Sequence, residues 1–181
     1  MSEPNSATPV SKSPFWQFSV KFYAVPGVAE ACIELQDQAK LDVNILLFLL
    51  WNAAQGRAFN AADVTEIERR TAPWREVAVV PIRNIRRALK SPPPAVEPVA
   101  AEGLRTRIKA VELEAERLQQ EALHGLAQSS RLGRPSPSKE QAAEDSISSY
   151  QGVIGPFPPE PLAAVLSAFA KFDPTGSNSR E

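Results

Sequence analysis

Asp42-Val43-Asn44-Ile45-Leu46-Leu47-Phe48-Leu49-Leu50-Trp51-Asn52-Ala53-Ala54-Gln55 spreads its apolar side chains around a full helical circumference instead of along one stripe. A helix of that kind persists in water only when other helices enclose it. A strand is the competing reading of a short apolar run. Leucine outnumbers β-branched residues here, however, and Asp42 and Gly56 stand where an N-cap and a left-handed C-cap belong. The most apolar part, Val43 to Trp51, spans nine residues and includes Asn44, well short of the ~20 that cross a bilayer. The expected fold class is therefore all-α, a compact helical bundle around a central apolar helix at about 42–55.

Flanking signals supply the other helices. Ser13-Pro14 is an N-cap followed by proline at the first helical position, and it opens a helix crowded with Phe15, Trp16, Phe18, Phe22 and Tyr23. Val25-Pro26-Gly27 closes it and starts a second helix with Val28, Cys32 and Leu35 on its inner face. Asn60 begins a fourth element. Beyond it, Val64, Ile67, Trp74, Ala78, Ile82, Ile85 and Leu89 keep helical spacing through Pro73 and Pro81. An interior proline costs ~3 kcal/mol, which predicts two or three shorter helices with Trp74 on the core stripe and Val77 to Val80 locally extended. A proline-rich spacer at 91–98 ends the block.

From about 103 to 127 the chain has no proline, and Leu104, Ile108, Val111, Ala115, Leu118 and Ala122 recur at heptad spacing. This predicts a long helix of about 38 Å that lies along the bundle or pairs with another chain. Residues 129–158 are rich in Ser, Pro and Gly and are expected to form a flexible loop. A short C-terminal amphipathic helix at 159–172 follows, with Leu162, Val165, Leu166, Phe169 and Phe172 on one face. The expected organisation is a helical domain at 13–128, the loop, this last helix, and disordered tails at 1–12 and 173–181.

Composition excludes several kinds of chemistry. Cys32 and His124 are the only residues of their types, so no internal disulfide, Cys/His zinc site or second Glu-x-x-His pair beside Glu121–His124 can form within one chain. Glu112, Glu114, Glu116 and Glu121 read as a solvated helix face, and Gly152-Val153-Ile154-Gly155 lacks the Lys-Ser/Thr of a phosphate loop. No metal, cofactor or catalytic residue is expected, and the protein reads as a non-enzyme. The polar start of the chain and the lone cysteine suggest a soluble, cytoplasmic protein.

Charge is nearly balanced overall, with 20 Lys+Arg against 21 Asp+Glu, but it is segregated. Residues 69–90 carry Arg69, Arg70, Arg75, Arg83, Arg86, Arg87 and Lys90 against Glu76 alone, while the first 68 residues hold four basic and eight acidic groups. Arg69, Arg70, Arg83, Arg86, Arg87 and Lys90 are candidate contacts for an anion or partner. The blander alternative is neutralisation by acidic residues of neighbouring helices, favoured because no exposed aromatics interleave the block. Gln36, Asp37 and Asn44 form a candidate polar turn at the edge of the core. It is either a small ligand pocket or, the favoured reading, the satisfaction of buried helix ends.

Phe15-Trp16, Tyr23, Pro26-Gly27-Val28, Leu35-Gln36-Asp37, Asp42-Val43-Asn44, the Leu-Leu-Phe-Leu-Leu-Trp run at 46–51, and Trp74 with Pro81-Ile82-Arg83 and Arg86-Arg87 resemble a bacterial domain-of-unknown-function family of small all-helical proteins. The likeness covers about Phe15 to Leu126. It implies a bacterial cytoplasmic protein and supplies no activity. The function expected is that of a helical protein-interaction or adaptor protein, binding an unknown protein partner or itself through the 104–122 seam. The alternative is a nucleic-acid-associated protein using segment 69–90.

Overall fold

The computed structural model describes residues 12–129 and 131–173. Apart from Lys12 and Asp173, both expected tails lie outside the described residues. Helix α1 (Pro14–Tyr23) is capped by Ser13, whose hydroxyl accepts the Trp16 N–H at 3.1 Å. Gly27, at φ 84°, turns the chain into α2 (Val28–Ala39). Helix α3 (Val43–Ala53) then runs through the middle of the molecule, with Asp42 as N-cap and Gly56 in the left-handed region just beyond its end.

The central position of α3 follows from its composition. Every side chain from Asn44 to Leu50 is buried, and α1, α2, α6 and α7 all pack against it. Phe48 meets Phe15 edge-on at 5.5 Å and Phe59 at 5.7 Å, so aromatic area closes the end away from Asp42. Each Leu, Ile or Phe hidden in this way contributes about 1.5–3 kcal/mol relative to exposure. No surface-facing stripe is left on this helix to be solvated.

Residues after Asn60 form one continuous helical rod where separate helices were expected. Helix α4 (Ala61–Trp74) passes into a π-helical segment, Arg75–Val79, and then into α5 (Val80–Ala88). The stretch expected to be extended, Val77 to Val80, is helical throughout. The widened turn explains the continuity. Val80 N–H reaches back to the Arg75 carbonyl, and Pro81 falls in the first turn of α5, where it needs no donor.

Helix α6 (Pro98–Ser129) is longer than expected, 32 residues or about 48 Å, and it folds back along α1, α3, α4 and α5. The 129–158 segment departs most from expectation. It holds β2 (Arg134–Pro135), which pairs antiparallel with β1 (Arg57–Ala58) after α3, and then α7 (Lys139–Ile154). Gly133, at φ 81°, lies where an added Cβ would meet Arg57 Nε at 2.9 Å, so only glycine fits. The expected loop is a core helix because Ala142, Ala143, Ser146, Ile147 and Tyr150 are buried at helical spacing. The small Ala142, Ala143 and Ser146 allow α7 to approach α3 and α4 closely. Ser146 accepts the Phe59 N–H and donates to the Ala142 carbonyl, so its hydroxyl is satisfied there.

Helix α8 (Pro159–Lys171) docks as its amphipathic pattern requires, with Phe172 against Phe18 and Phe22 and Phe169 against Phe22. Lys139 at the head of α7 donates to the carbonyls of Ala170 and Phe172, joining α7 to the negative end of α8.

Leu49→Ala is expected to cost about 2–5 kcal/mol in urea unfolding, because α3 has no free side toward which the cavity can collapse. A chain ending at Ser129 exposes the α3 surface that α7 covers, and it is expected to melt without a cooperative transition in calorimetry.

Candidate functional site

A polar network is built around the N-terminus of α3, where a buried helix start leaves backbone donors to be satisfied inside the protein. Asp42 is its hub. One carboxylate oxygen caps Asn44 N–H at 2.8 Å. The other accepts Arg75 Nη1 at 3.0 Å and Gln119 Nε2 at 2.5 Å. The Asp42 N–H donates to Tyr150 Oη at 3.0 Å, and the Tyr150 hydroxyl donates to Glu68 Oε1 at 3.0 Å. Glu68 also stands 2.9 Å from Arg75 Nη1. Asn44 donates to Gln119 and accepts from Gln120, whose own Oε1 is buried and accepts no hydrogen bond among the described residues. The α2–α3 turn, α3, α4, the π segment, α6 and α7 thus meet on a few side chains. Burial and the neighbouring Glu68 push the Tyr150 hydroxyl well above its ordinary range, so it stays a donor.

Beside this hub lies an ion-pair cluster. Arg83 donates to Glu112 at 2.9 Å, Glu116 at 2.6 Å and Gln36 at 2.6 Å, and Arg86 makes a two-pronged contact with Glu112. Arg87 pairs with Asp37 at 2.9 Å, and Lys40 Nζ donates to the Asp37 carbonyl at 2.7 Å. The two sets of residues chosen separately from the sequence, Gln36 and Asp37 on one side and Arg83 and Arg87 on the other, converge here. They line one cavity of about 270 Å³ together with Lys40, Leu41, Asp42, Arg75, Val79, Val80 and Asn84. A second groove of about 260 Å³, between α1 and the end of α3, offers less chemistry, since Lys21 is the one charged group lining it.

The other candidates are placed elsewhere. Arg69 and Arg70 grip Glu66 on the open face of α4, and their hydrogen bonds hold its carboxyl down at about 2. Lys90 is exposed in the turn after α5. Asn44 is buried in the hub, whereas Asp37 is exposed. Glu121 accepts the Ser13 N–H and His124 lies against Trp51, so neither faces a common point. Among the described residues, no group of three or more His, Cys, Asp or Glu side chains is placed to hold a metal ion. Burial pushes the Cys32 thiol up to about 12.

Helix α5 is turned partway from the sequence expectation, although Arg87 and Lys90 stay exposed as expected. Arg83 and Arg86 face α6, while Ile85 points outward and Ile82 and Leu89 are only half-buried. The cause is Glu112 and Glu116. Glu112 is buried and Glu116 half-buried on α6; carboxylates so placed demand cationic partners, and α5 supplies them by turning Arg83 and Arg86 toward α6. Trp74 likewise leaves the core. It is part-exposed, with its indole N–H on the Ala115 carbonyl.

The family described as "Protein of unknown function (DUF2390)" matches residues 14–123. The chain belongs to this family. No curated protein and no solved structure matches it. The DUF2390 stretch contains every residue lining the cavity and all of the Asp42 network except Tyr150. Sequence reasoning missed Glu68, Arg75, Gln119, Gln120 and Tyr150 as one group. Only the helical spacing of Ala143, Ser146, Ile147 and Tyr150 carried a readable signal.

Glu112 and Glu116 have opposite linkage to folding. Burial raises Glu112, but hydrogen bonds from Arg86 and Arg83 outweigh it and hold the carboxyl below its ordinary range. Its stabilisation is present above the ordinary glutamate pKa and lost as pH falls through the lowered value. For Glu116 burial outweighs Arg83 and raises the pKa, so its contribution is present in acid and lost as pH rises through that value. In urea titrations, Glu112→Gln is expected to cost about 1–3 kcal/mol near neutral pH and less near pH ~4. Glu116→Gln is expected to be neutral or stabilising near neutral pH.

Proposed function

We propose that this DUF2390 protein is a non-enzymatic helical interaction protein that docks a protein partner on the outer face of α5 and α6. The observation that carries this reading is the exposure of aliphatic side chains along α5 and α6. Helix α5 is strongly amphipathic yet has no buried residue; Ile85 is exposed, and Ile82 and Leu89 are only half-buried. Val77 in the π segment is 72% exposed, Ile85 on α5 52%, and Val111, Leu118 and Leu104 on α6 54%, 43% and 41%. Leu104, Val111 and Leu118 recur every seven residues and so share one side of α6, and contiguous exposed aliphatic area marks interaction surfaces more often than isolated residues do.

The seam from Leu104 to Ala122 is not available throughout, since Ala115 is buried beside Trp74. This supports a partner that docks across α5 and α6 together over a coiled coil formed by α6 alone. Amphipathic helices seat in such grooves through spaced apolar anchors. A second copy of the chain is the other occupant to test. The alternative of a nucleic-acid-associated protein has less to support it, because Arg69, Arg70, Arg75, Arg83, Arg86 and Arg87 each face a carboxylate within the chain. We infer a cytoplasmic location from the buried, inert Cys32. No helix among the described residues is long and apolar enough to cross a membrane.

Ile85→Glu with Val111→Glu is expected to abolish partner capture from nuclease-treated native lysate, or concentration-dependent mass in light scattering, while changing stability by less than about 0.5 kcal/mol. If capture from untreated lysate survives in this variant but is lost on adding nuclease or in Arg69→Ala/Arg70→Ala/Lys90→Ala, the nucleic-acid reading replaces it.

A further inference from the structure

We propose that the cavity between the α2–α3 turn and the π-helical segment binds a small metabolite through an oxyanion head, a carboxylate or a phosphate. Four cationic side chains line it, Lys40, Arg75, Arg83 and Arg87, against two carboxylates, Asp37 and Asp42. The groups that balance Arg83 and Arg75 from behind, Glu112, Glu116 and Glu68, do not reach the lining. The space itself is therefore bordered mainly by positive charge although the whole cluster is balanced.

Donor capacity remains after the internal bonds are made. A guanidinium carries five N–H groups. Arg75 engages its internal carboxylates through Nη1 and Arg87 through Nη2, which leaves the other nitrogens of both for a ligand. Asp37 is the one carboxylate that an incoming anion must displace, and its pair with Arg87 is half-exposed and hence weak. Arg83 is different. Its bonds to Glu112, Glu116 and Gln36 fix it as a rigid floor.

Size and backbone point the same way. About 270 Å³ falls just below the ~300–1,000 Å³ of pockets for drug-sized ligands, which suits a head group with a few carbons and not a polymer. Val79 and Val80, delivered by the widened π turn, give one apolar wall for those carbons. Lys40 sits at φ 57°, a region that favours glycine, and its ammonium is held at the rim by the Asp37 carbonyl. This inference is independent of the α5–α6 docking surface, since Ile85 and Val111 do not line the cavity.

The test is a titration of the full ¹⁵N-labelled chain with inorganic phosphate, and separately with succinate, at low ionic strength with chloride as the control anion. The expected result is saturable shifts confined to the amides of Lys40 and of the Arg75–Arg87 region for at least one of the two. Arg87→Ala and Lys40→Gly are expected to weaken binding by about tenfold, with Arg69→Ala unchanged. Lys40→Gly relieves the backbone at that position, so its loss of binding is not a loss of folding. Saturation by phosphate alone assigns a phosphate head, and saturation by succinate alone assigns a carboxylate. Absence of saturation by either, or equal weakening by Arg69→Ala, overturns the proposal.

Discussion

A helix that is apolar on every side leaves nowhere outside the protein for its own N-terminal backbone donors to be satisfied. That constraint on α3 organises the rest of the molecule. Asp42 answers it by capping Asn44; its buried carboxylate then takes Arg75 and Gln119 as donors, while its own N–H donates to the Tyr150 hydroxyl. Each of these comes from a different element, so satisfying the polar groups of one residue fixes the relative placement of the π segment, α6 and α7. The apolar area supplies the driving force. The polar hub supplies the register, since a one-turn slip of α6 removes Gln119 and Gln120 from Asp42 and Asn44, and one of α7 removes the Tyr150 acceptor of the Asp42 N–H.

The same logic explains why α5 and α6 look wrong by amphipathic rules. Glu112 is buried on α6 although the heptad seam of that helix is part-exposed. Once Glu112 and Glu116 face inward, Arg83 and Arg86 must follow, and Ile85 is carried to the outside. Replacing such a cluster by aliphatic residues is often neutral or better for stability. The arrangement therefore contributes position more than energy. It leaves Ile85 exposed on one side and a cation-lined cavity on the other.

The sequence made some of this legible. Leu46 to Trp51 with a cap at each end identified the central helix, and Ser13-Pro14 and the α8 phenylalanines were readable from caps and spacing. Other features were hidden for physical reasons. Helix α7 packs through Ala142, Ala143 and Ser146, small residues whose burial adds little apolar signal, inside a segment whose Gly and Pro suggest a loop. Periodicity showed that α5 has two faces but not which one turns inward, because that depends on Glu112 and Glu116 more than twenty residues away. The Gln36–Asp37 turn and the Arg83–Arg87 block were each visible, but their meeting depends on the continuous rod through Pro73 and Pro81. The prolines argued against that rod; the π turn leads into Pro81, while Pro73 sits inside α4.

Native-state hydrogen exchange tests the central claim most directly. If Asp42 and Tyr150 join α7 to the enclosed α3, the amides of Ile45–Leu50 and of Ala143–Tyr150 exchange only through one shared global opening, with the same free energy and the same denaturant dependence. Exchange of the 143–150 amides through a separate, low-energy opening while 45–50 stays protected would contradict it. In that case α7 would be an appendage, and α3 would be held by the other helices alone.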